Sequence, residues 1–398
     1  MAHRADPDPP EGLGRLYAAP FVSYLDRFAL PPVLLTIAVD LGTTLKASAL
    51  VATVYFLLYG LMQPFYGLLS DRVGRIRVLR WALVGMAVGG VLATVAPTLG
   101  TLLAAKALTG ACAGALLPTS LVYVGDRVPF DVRQQVVANI QAVGAAGTVL
   151  GTLGAGLLGR YGSWRLVFLV PAVLALALAA GLGRLPDPPS DHPALGSVAR
   201  LGHVLRQRWV RPVLVLAFVE GAVILGFLTF LVPALEAGGE STVVAALVVS
   251  VYGVATLVGT QLVKAVLRRS RRSPAQLIGI GAASLLAAYL SAAASQERPG
   301  ILAASVLIGL AFAFLHSTLQ TWATNLVPDA RGTATSLFVT AVFTGAAVAT
   351  AAVRGLAGDG RYALLFLVAA ALTVPVALAA PVARARYGRW VKTSEAAG

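Results

Sequence analysis

The sequence predicts an all-α membrane protein with twelve transmembrane helices in two pseudo-symmetric six-helix halves. Three observations support this fold class: the composition, the spacing of the apolar segments, and a repeat at half the chain length. Of the 398 residues, 58% are hydrophobic and only 12% are charged, and the mean hydropathy is +0.80. Soluble domains carry about a quarter charged residues. A soluble domain is therefore excluded, and we expect the lipid bilayer to surround the chain.

Twelve apolar segments are long enough to cross a bilayer, for which a helix needs about 20 residues. Residues 184–211 between the sixth and seventh segments are polar and rich in proline and arginine, so they are the expected linker between halves 16–183 and 212–382. Residues 1–15 and 383–398 are the expected tails. The segments lie near residues 16–39, 48–69, 78–96, 99–124, 135–158, 165–183, 212–235, 242–263, 275–294, 300–323, 333–353 and 362–382.

The positive charge of the chain follows the predicted topology. The formal net charge is +14, and 23 of the 31 lysines and arginines lie in the tails and loops of one side, against six on the other. Such asymmetry is the positive-inside rule. It predicts a multi-pass protein of the cell membrane with both termini in the cytoplasm, and it explains the charge without a nucleic-acid partner. We expect a monomer that binds a small-molecule substrate.

A repeat relates the two halves. Val128-Pro129-Phe-Asp-Val-Arg133 follows the fourth segment, and Val327-Pro328-Asp-Ala-Arg331 follows the tenth, about 199 residues later. Parallel repeats of this kind place the substrate site of a transporter near the bilayer midplane, at the interface of the halves. The sequence therefore predicts a central site.

A charged turn lies between the second and third segments. Gly67 and Gly74 are expected to allow close approach and a tight turn. The carboxylate of Asp71 is expected to accept hydrogen bonds from a neighbouring helix start, and the arginines to meet carboxylates or anionic lipid, which would close a gate. The turn resembles the G-x-x-x-D-R-x-G-R-[RK] loop between helices two and three of the major facilitator superfamily. Its matching residues are Gly67, Asp71, Arg72, Gly74, Arg75 and Arg77.

Residues 144–168 resemble the fifth-helix pattern of the same superfamily, and the Asp26-Arg27 pair resembles the start of helix one in its drug:proton antiporters. Antiporters carry Gly-Pro where this chain has Gly151-Thr152. The resemblance covers nearly all of residues 15–382. It implies proton-coupled efflux of small amphipathic or cationic compounds by alternating access. Two alternatives stay open: a proton-coupled carrier of a sugar, organic acid or other metabolite, and a transport-silent sensor or scaffold.

Four ionisable residues inside the apolar segments are candidates for proton coupling, because a charge there costs a few kcal/mol. They are Asp26, Arg27, Lys106 and Glu220. Asp26 and Lys106 lie at similar depths on helices one and four, so we expect them to interact. Lysine can release its proton when buried, whereas arginine stays charged. The alternative is a static ion pair that fixes the helix register.

The other two candidates have several interpretations. Arg27 points roughly 100° away from Asp26 on the helix. It is expected to face another helix or a carbonyl end, and an anionic substrate would favour it together with Lys106. Glu220 is a second protonation site, the partner of a cationic substrate, or a neutral hydrogen-bonded acid. His316 is a proton relay or a packing residue.

Polar and aromatic residues are expected to line a mixed substrate cavity, and three of them recur every four residues on one helix. Ring faces suit amphipathic or cationic ligands. The sequence has no nucleotide-binding loop, metal-ligand set or hydrolase motif, so we expect no enzyme and no cofactor, with a proton gradient as the energy source. The expected lining residues are Tyr24, Tyr55, Tyr59, Gln63, Gln141, Tyr252, His316 and Gln320.

Overall fold

The computed structural model describes residues 13–185, 187, 197–269 and 272–396. Within these ranges the chain forms helices and no strand. Eleven helices could each cross a membrane, and a helix pair bent by 46° supplies the twelfth span. The spans are α1 (Leu13–Asp40), α2 (Leu45–Leu61 and Gln63–Val73), α3 (Arg75–Thr94), α4 (Leu99–Arg127), α5 (Val132–Tyr161), α6 (Trp164–Leu182), α7 (Val210–Ala237), α8 (Thr242–Arg269), α9 (Pro274–Ala294), α10 (Arg298–Asn325), α11 (Pro328–Gly358) and α12 (Tyr362–Val391). The predicted fold class is confirmed.

The outer surface of the bundle is apolar. On α3, Val84, Val88 and Leu92 recur every four residues and are 43–48% exposed. Residues at this spacing share one face of a helix. Such a face is stable against lipid chains but not against water, so the chain is a multi-pass membrane protein.

Equivalent glycines hold the helices of the two halves together. An added Cβ on Gly151 of α5 would lie 2.5 Å from the Leu25 carbonyl oxygen of α1. In the second half, Gly345 of α11 packs in the same way against the Phe218 carbonyl of α7. Only glycine lets two helix backbones approach this closely. The fifth helix thus crosses the first in both halves, as the predicted repeat requires.

Several spans are interrupted near the middle of the bundle. The first part of α1 ends at Phe28, and Pro31 begins a short 3-10 turn before the second part. The two parts of α2 meet at Met62, two residues before Pro64. Spans α7 and α10 each contain a π-helical turn, at Ala222–Gly226 and Phe312–His316. Such turns are frequent at functional sites because they re-aim side chains.

The two halves contact each other between α2 and α11, from the middle of the bundle to one of its ends. Thr340 Oγ1 donates to the Gly60 carbonyl at 2.9 Å, and the hydroxyls of Thr53 and Thr350 lie 2.9 Å apart. Further along, Arg354 donates to the Lys46 carbonyl at 3.2 Å. We call this contact the seal. It closes the end opposite the arginine-rich turn at residues 67–77, which marks the arginine-rich end.

A surface ion pair lies at the sealed end of the second half. Arg298 donates hydrogen bonds from Nε and Nη2 to the carboxylate oxygens of Glu240, at 2.6 and 2.7 Å. These bonds hold the pKa of Glu240 below its usual value. The pair joins the loop before α8 to the start of α10, within one half.

Two predicted boundary regions contain helix. Within the expected linker, Ser197–Arg206 forms a short helix whose Val204 packs against Val210 and Val327. Residues 186 and 188–196 of that linker, and residues 1–12 of the first tail, lie outside the described residues. The last helix continues from α12 through the expected tail to Ala396, because Ala, Arg and Lys there favour helix.

Replacing Gly345 by Ala is expected to destabilise the protein, because the added methyl group meets the Phe218 carbonyl oxygen. Overpacking of this kind costs about 1–3 kcal/mol. Thermal unfolding of the purified protein measures the loss. Gly355→Ala is the control, since the same helix offers open space there and alanine favours helix. Equal losses in both variants would contradict the backbone-contact argument.

Candidate functional site

Asp26 and Lys106 form a buried ion pair. Lys106 Nζ donates to Asp26 Oδ1 at 2.7 Å, and the two side chains are 0% and 1% exposed. Span α1 supplies the carboxylate and α4 the ammonium group. The structure therefore contains the contact that the sequence predicts between these helices.

The surroundings of this pair are apolar and aromatic. Lys106 Nζ lies 5.0 Å from the ring centroid of Tyr55 and 4.5 Å from that of Phe168. Among the described residues, Asp26 Oδ2 has no hydrogen-bond partner of ordinary geometry, and the Tyr55 hydroxyl lies close enough to interact with this carboxylate. Removing either charge would leave the other in a medium that solvates it poorly.

Arg27 lies between the two halves without a carboxylate partner among the described residues. Its guanidinium carbon lies 4.3 Å from the ring centroid of Tyr24 and 5.2–5.3 Å from those of Phe28, Tyr59 and Phe343. The residue is 8% exposed, and Nε and Nη2 have no hydrogen-bond partner within the described part of the chain. The expected contact with another helix is present, but it is made by rings rather than by a carbonyl end.

Glu220 and His316 form a second pair inside the bundle, and no pattern in the sequence predicts this contact. Glu220 Oε1 lies 2.7 Å from His316 Nδ1, and the side chains are 1% and 14% exposed. The π-helical turns of α7 and α10 adjoin these two residues. The glycine contacts, rather than the sequence repeat, show where Glu220 lies relative to the first half. Because Leu25 and Phe218 make equivalent glycine contacts, Glu220 occupies the position that Arg27 has in the first half.

Aromatic rings connect Arg27 to the Glu220–His316 pair across the interface of the halves. Phe28 stacks on Tyr252 at 5.8 Å, Tyr252 meets Phe312 edge-on at 6.3 Å, and Phe312 stacks on His316 at 4.3 Å. Phe28 and Phe312 were missed because nothing in the sequence distinguishes them from core residues. This path links Arg27 of the first half to Glu220 of the second.

The expected lining residues divide into two groups. Tyr24, Tyr55, Tyr59 and Tyr252 surround the charged residues described above. The three glutamines lie outside this cluster of charged residues. Span α2 bends before Gln63, and α5 and α10 extend beyond the cluster. Gln63 donates to the Gly114 carbonyl at 2.8 Å and so fixes α2 to α4, Gln141 is exposed, and Gln320 is half-buried.

The charged turn is organised around Arg75, which is 8% exposed. Arg75 forms an ion pair with Asp71, and its Nε lies 3.2 Å from Asp126 Oδ2 of α4. Gly74 has φ +101°, a conformation that favours glycine. Asp187 accepts hydrogen bonds from the first backbone amides of α3, at 3.1 and 2.9 Å. These contacts hold together the arginine-rich end of the first half.

Other residues of the turn are more open. Arg72 and Arg77 are exposed, where water or lipid headgroups can reach them. Gly67 lies within the second part of α2, and an added Cβ there would meet nothing within 4 Å. The expected close approach is therefore wrong for Gly67, because this side of α2 faces away from its neighbours.

Among the described residues, no group of three or more His, Cys, Asp or Glu side chains could hold a metal ion. The four buried ionisable residues on α1, α4 and α7, together with His316, are the chemically active groups at the centre of the bundle. Their arrangement can hold and release protons and can bind a charged group.

Parts of several curated transporters and resistance proteins are similar to this chain. The triacylglyceride transporter of Mycobacteroides abscessus is 32% identical over 185 residues, 46% of this chain and 35% of that protein. The puromycin resistance protein of Streptomyces alboniger is 32% identical over 184 residues, which are 45% of this chain and 36% of that protein. The putative multidrug resistance protein MdtD of Cronobacter sakazakii is 30% identical over 160 residues, which are 40% of this chain and 34% of that protein. Each match spans about a third of the relative's length.

Solved transporter structures share the fold. A mutant of the nucleoside transporter NupG aligns with TM-score 0.78 at 15% identity, covering 94% of this chain and 99% of that one. A bacterial homologue of the lysosomal transporter Spinster aligns with TM-score 0.73 at 17% identity, covering 94% and 96%. The family model of the Major Facilitator Superfamily matches residues 16–350. The chain therefore belongs to the Major Facilitator Superfamily, a family of transporters.

Proposed function

We propose that this protein is a secondary transporter that couples proton movement to the export of small amphipathic compounds, a class that includes cations. The observation that carries this proposal is the buried Asp26–Lys106 pair, which lies next to Arg27 at the interface of the halves. The relatives named for puromycin and multidrug resistance support the substrate class.

The proton site in this proposal is Asp26. Its Oδ2 accepts the proton, which removes the negative charge that offsets Lys106. Lys106 then lacks a counter-ion in an apolar environment, a state that costs several kcal/mol. Loss of a proton from Lys106, or movement of α1 relative to α4, relieves that cost. Proton binding thus changes the preferred arrangement of α1.

Alternating access requires the seal to open. The hydroxyl and carbonyl contacts of Thr53, Thr340 and Arg354 are few and weak enough to exchange with water. In the other conformation the halves would separate there and meet at the arginine-rich end, where the Arg75 network provides a rigid surface. Glu220 and His316 provide a second site for proton exchange in the other half.

The cellular setting follows from the charge asymmetry. We propose that the protein lies in the cell membrane with the arginine-rich end and both termini in the cytoplasm. It acts there as a monomer, with the proton gradient as its energy source.

Asp26→Asn is expected to abolish gradient-driven transport, because an amide cannot exchange the proton. Purified protein in liposomes with an acidic lumen should accumulate amphipathic dyes, and the variant should reduce that flux at least tenfold, toward the rate of empty liposomes. The measurement uses cationic, neutral and anionic dyes, so that it does not depend on the charge of the substrate.

Asp40→Asn is the matched control, since Asp40 lies at the sealed end of the same helix and pairs with Arg165 at 2.5 Å. It should keep flux within about twofold of the wild type, because exposed ion pairs contribute little. Unchanged gradient-driven flux in Asp26→Asn would reassign the pair to a structural role. No flux of any dye would favour a metabolite carrier or a sensor.

Lys106→Met is expected to lower stability by about 3–5 kcal/mol, because it leaves the Asp26 carboxylate buried without its partner. The double variant Asp26→Asn/Lys106→Met should recover most of this loss, since it buries no charge. Thermal unfolding in detergent at neutral pH compares the wild type, Asp26→Asn, Lys106→Met and the double variant. Additive losses in the double variant would contradict the ion-pair argument.

A further inference from the structure

We infer that Arg27 binds an anionic group of the substrate, so that the transported compounds are small organic anions with an apolar or aromatic body. This inference rests on the proposed function and narrows its substrate class. It is carried by the guanidinium group between the two halves, which is buried and has donors without acceptors in the ranges that the structure describes.

The hydrogen bonding of Arg27 is incomplete. Among the described residues, Nε and Nη2 have no acceptor, although Arg27 is only 8% exposed. A buried donor without a partner is destabilising, and more so when it is charged. Ring faces offset part of the positive charge, and the Tyr59 hydroxyl interacts with the guanidinium group, but neither satisfies Nε and Nη2. A carboxylate, sulfonate or phosphate can accept two hydrogen bonds from a planar guanidinium in parallel.

Asp26 and Glu220 each use one carboxylate oxygen in a contact with another residue, while Asp26 Oδ2 and Glu220 Oε2 have no hydrogen-bond partner of ordinary geometry among the described residues. Asp26 is bound to Lys106, and Glu220 Oε1 is bound to His316. No Arg27 ion pair occurs within the part of the chain that the structure describes. Arg27 therefore has no direct counter-ion among the described residues. A cationic ligand would be placed against its charge, whereas an anion would neutralise it.

The walls around Arg27 define the rest of the ligand. Tyr24, Phe28 and Tyr59 come from the first half, and Phe343 from α11 of the second. Tyr59 and Phe343 stack at 4.0 Å and close the site between them. A cavity of about 20 Å³ beside Arg27 has room for about one water molecule. A substrate must therefore separate these rings, and its body would then pack against them.

The position of Arg27 also links the anion to the proton. Arg27 follows Asp26 directly on α1, four residues before the break at Pro31. Any rotation of α1 that follows proton exchange at Asp26 also moves the guanidinium group. Because such coupling is reciprocal, an anion bound to Arg27 must alter the proton affinity of Asp26. The two consecutive residues thus join the substrate site to the proton site.

The test compares three fluorescent compounds that share one aromatic body: dansylglycine with a carboxylate, dansylamide without charge, and dansylcadaverine with an ammonium group. Binding is measured to the full chain in nanodiscs, with empty nanodiscs subtracted. We expect the wild type to bind dansylglycine at least tenfold more tightly than dansylamide, and dansylcadaverine least tightly.

Arg27→Lys keeps the charge but loses the planar fork, and Arg27→Gln loses both. Each variant should weaken dansylglycine binding about tenfold or more and leave dansylamide binding within twofold. Arg160→Lys, an exposed arginine on α5, is the matched control and should change nothing. The inference is overturned if dansylcadaverine binds most tightly, if all three compounds bind equally, or if no compound binds. So does unchanged dansylglycine binding in Arg27→Lys. If neither Arg27 variant folds, the wild-type ranking decides.

Failure of this inference can be distinguished from failure of the proposed function. Binding in nanodiscs requires no gradient, whereas the Asp26→Asn experiment measures gradient-driven flux. One outcome is that flux depends on Asp26, that cations are transported and that Arg27→Lys does not change ligand binding. This outcome would support proton coupling and reject the anion site. Anion binding that depends on Arg27, without proton-dependent flux, would keep the site and reject the coupling.

Discussion

Placing a charge inside a bilayer costs free energy, and this cost constrains which side chains can meet at the centre of this protein. The Asp26–Lys106 contact satisfies the constraint by pairing two opposite charges. Both side chains are almost fully buried and lie 2.7 Å apart. Neither charge is stable there alone, so α1 and α4 must stay in register while both groups are ionised. That requirement fixes the inner face of α1, and with it the position of Arg27 at the interface of the halves.

The two halves share a backbone arrangement but carry different chemistry. Glycines at equivalent positions bring the fifth helix against the first in each half, through Gly151 and Gly345. On this common frame Arg27 and Glu220 occupy corresponding positions on α1 and α7. Arg27 is a permanent cation that meets no carboxylate in the described ranges, and Glu220 is an acid bound to His316. The resulting asymmetry is a property of the side chains: the central site has a cation on the side of the first half and an acid on the side of the second.

The ends of the bundle are held by different kinds of contact. At the sealed end the halves meet through threonine hydroxyls and one arginine-to-carbonyl bond. At the arginine-rich end of the first half, Arg75 joins two carboxylates and Asp187 caps α3. The seal joins the two halves, whereas the Arg75 network lies within the first half. Separation of the halves at the seal therefore leaves the Arg75 network intact.

The sequence alone determined the twelve spans, the repeat and the charged turn, because hydrophobic length, charge asymmetry and glycine spacing are local properties. It also indicated that Asp26 and Lys106 should meet, since their depths follow from helical rise. Only the tertiary structure decided which side chains surround Arg27, and that Glu220 pairs with His316. Those contacts depend on π-helical turns and on how two halves pack. The close approach expected at Gly67 failed for the same reason: a glycine's neighbours are set by packing, and α2 presents that residue to open space.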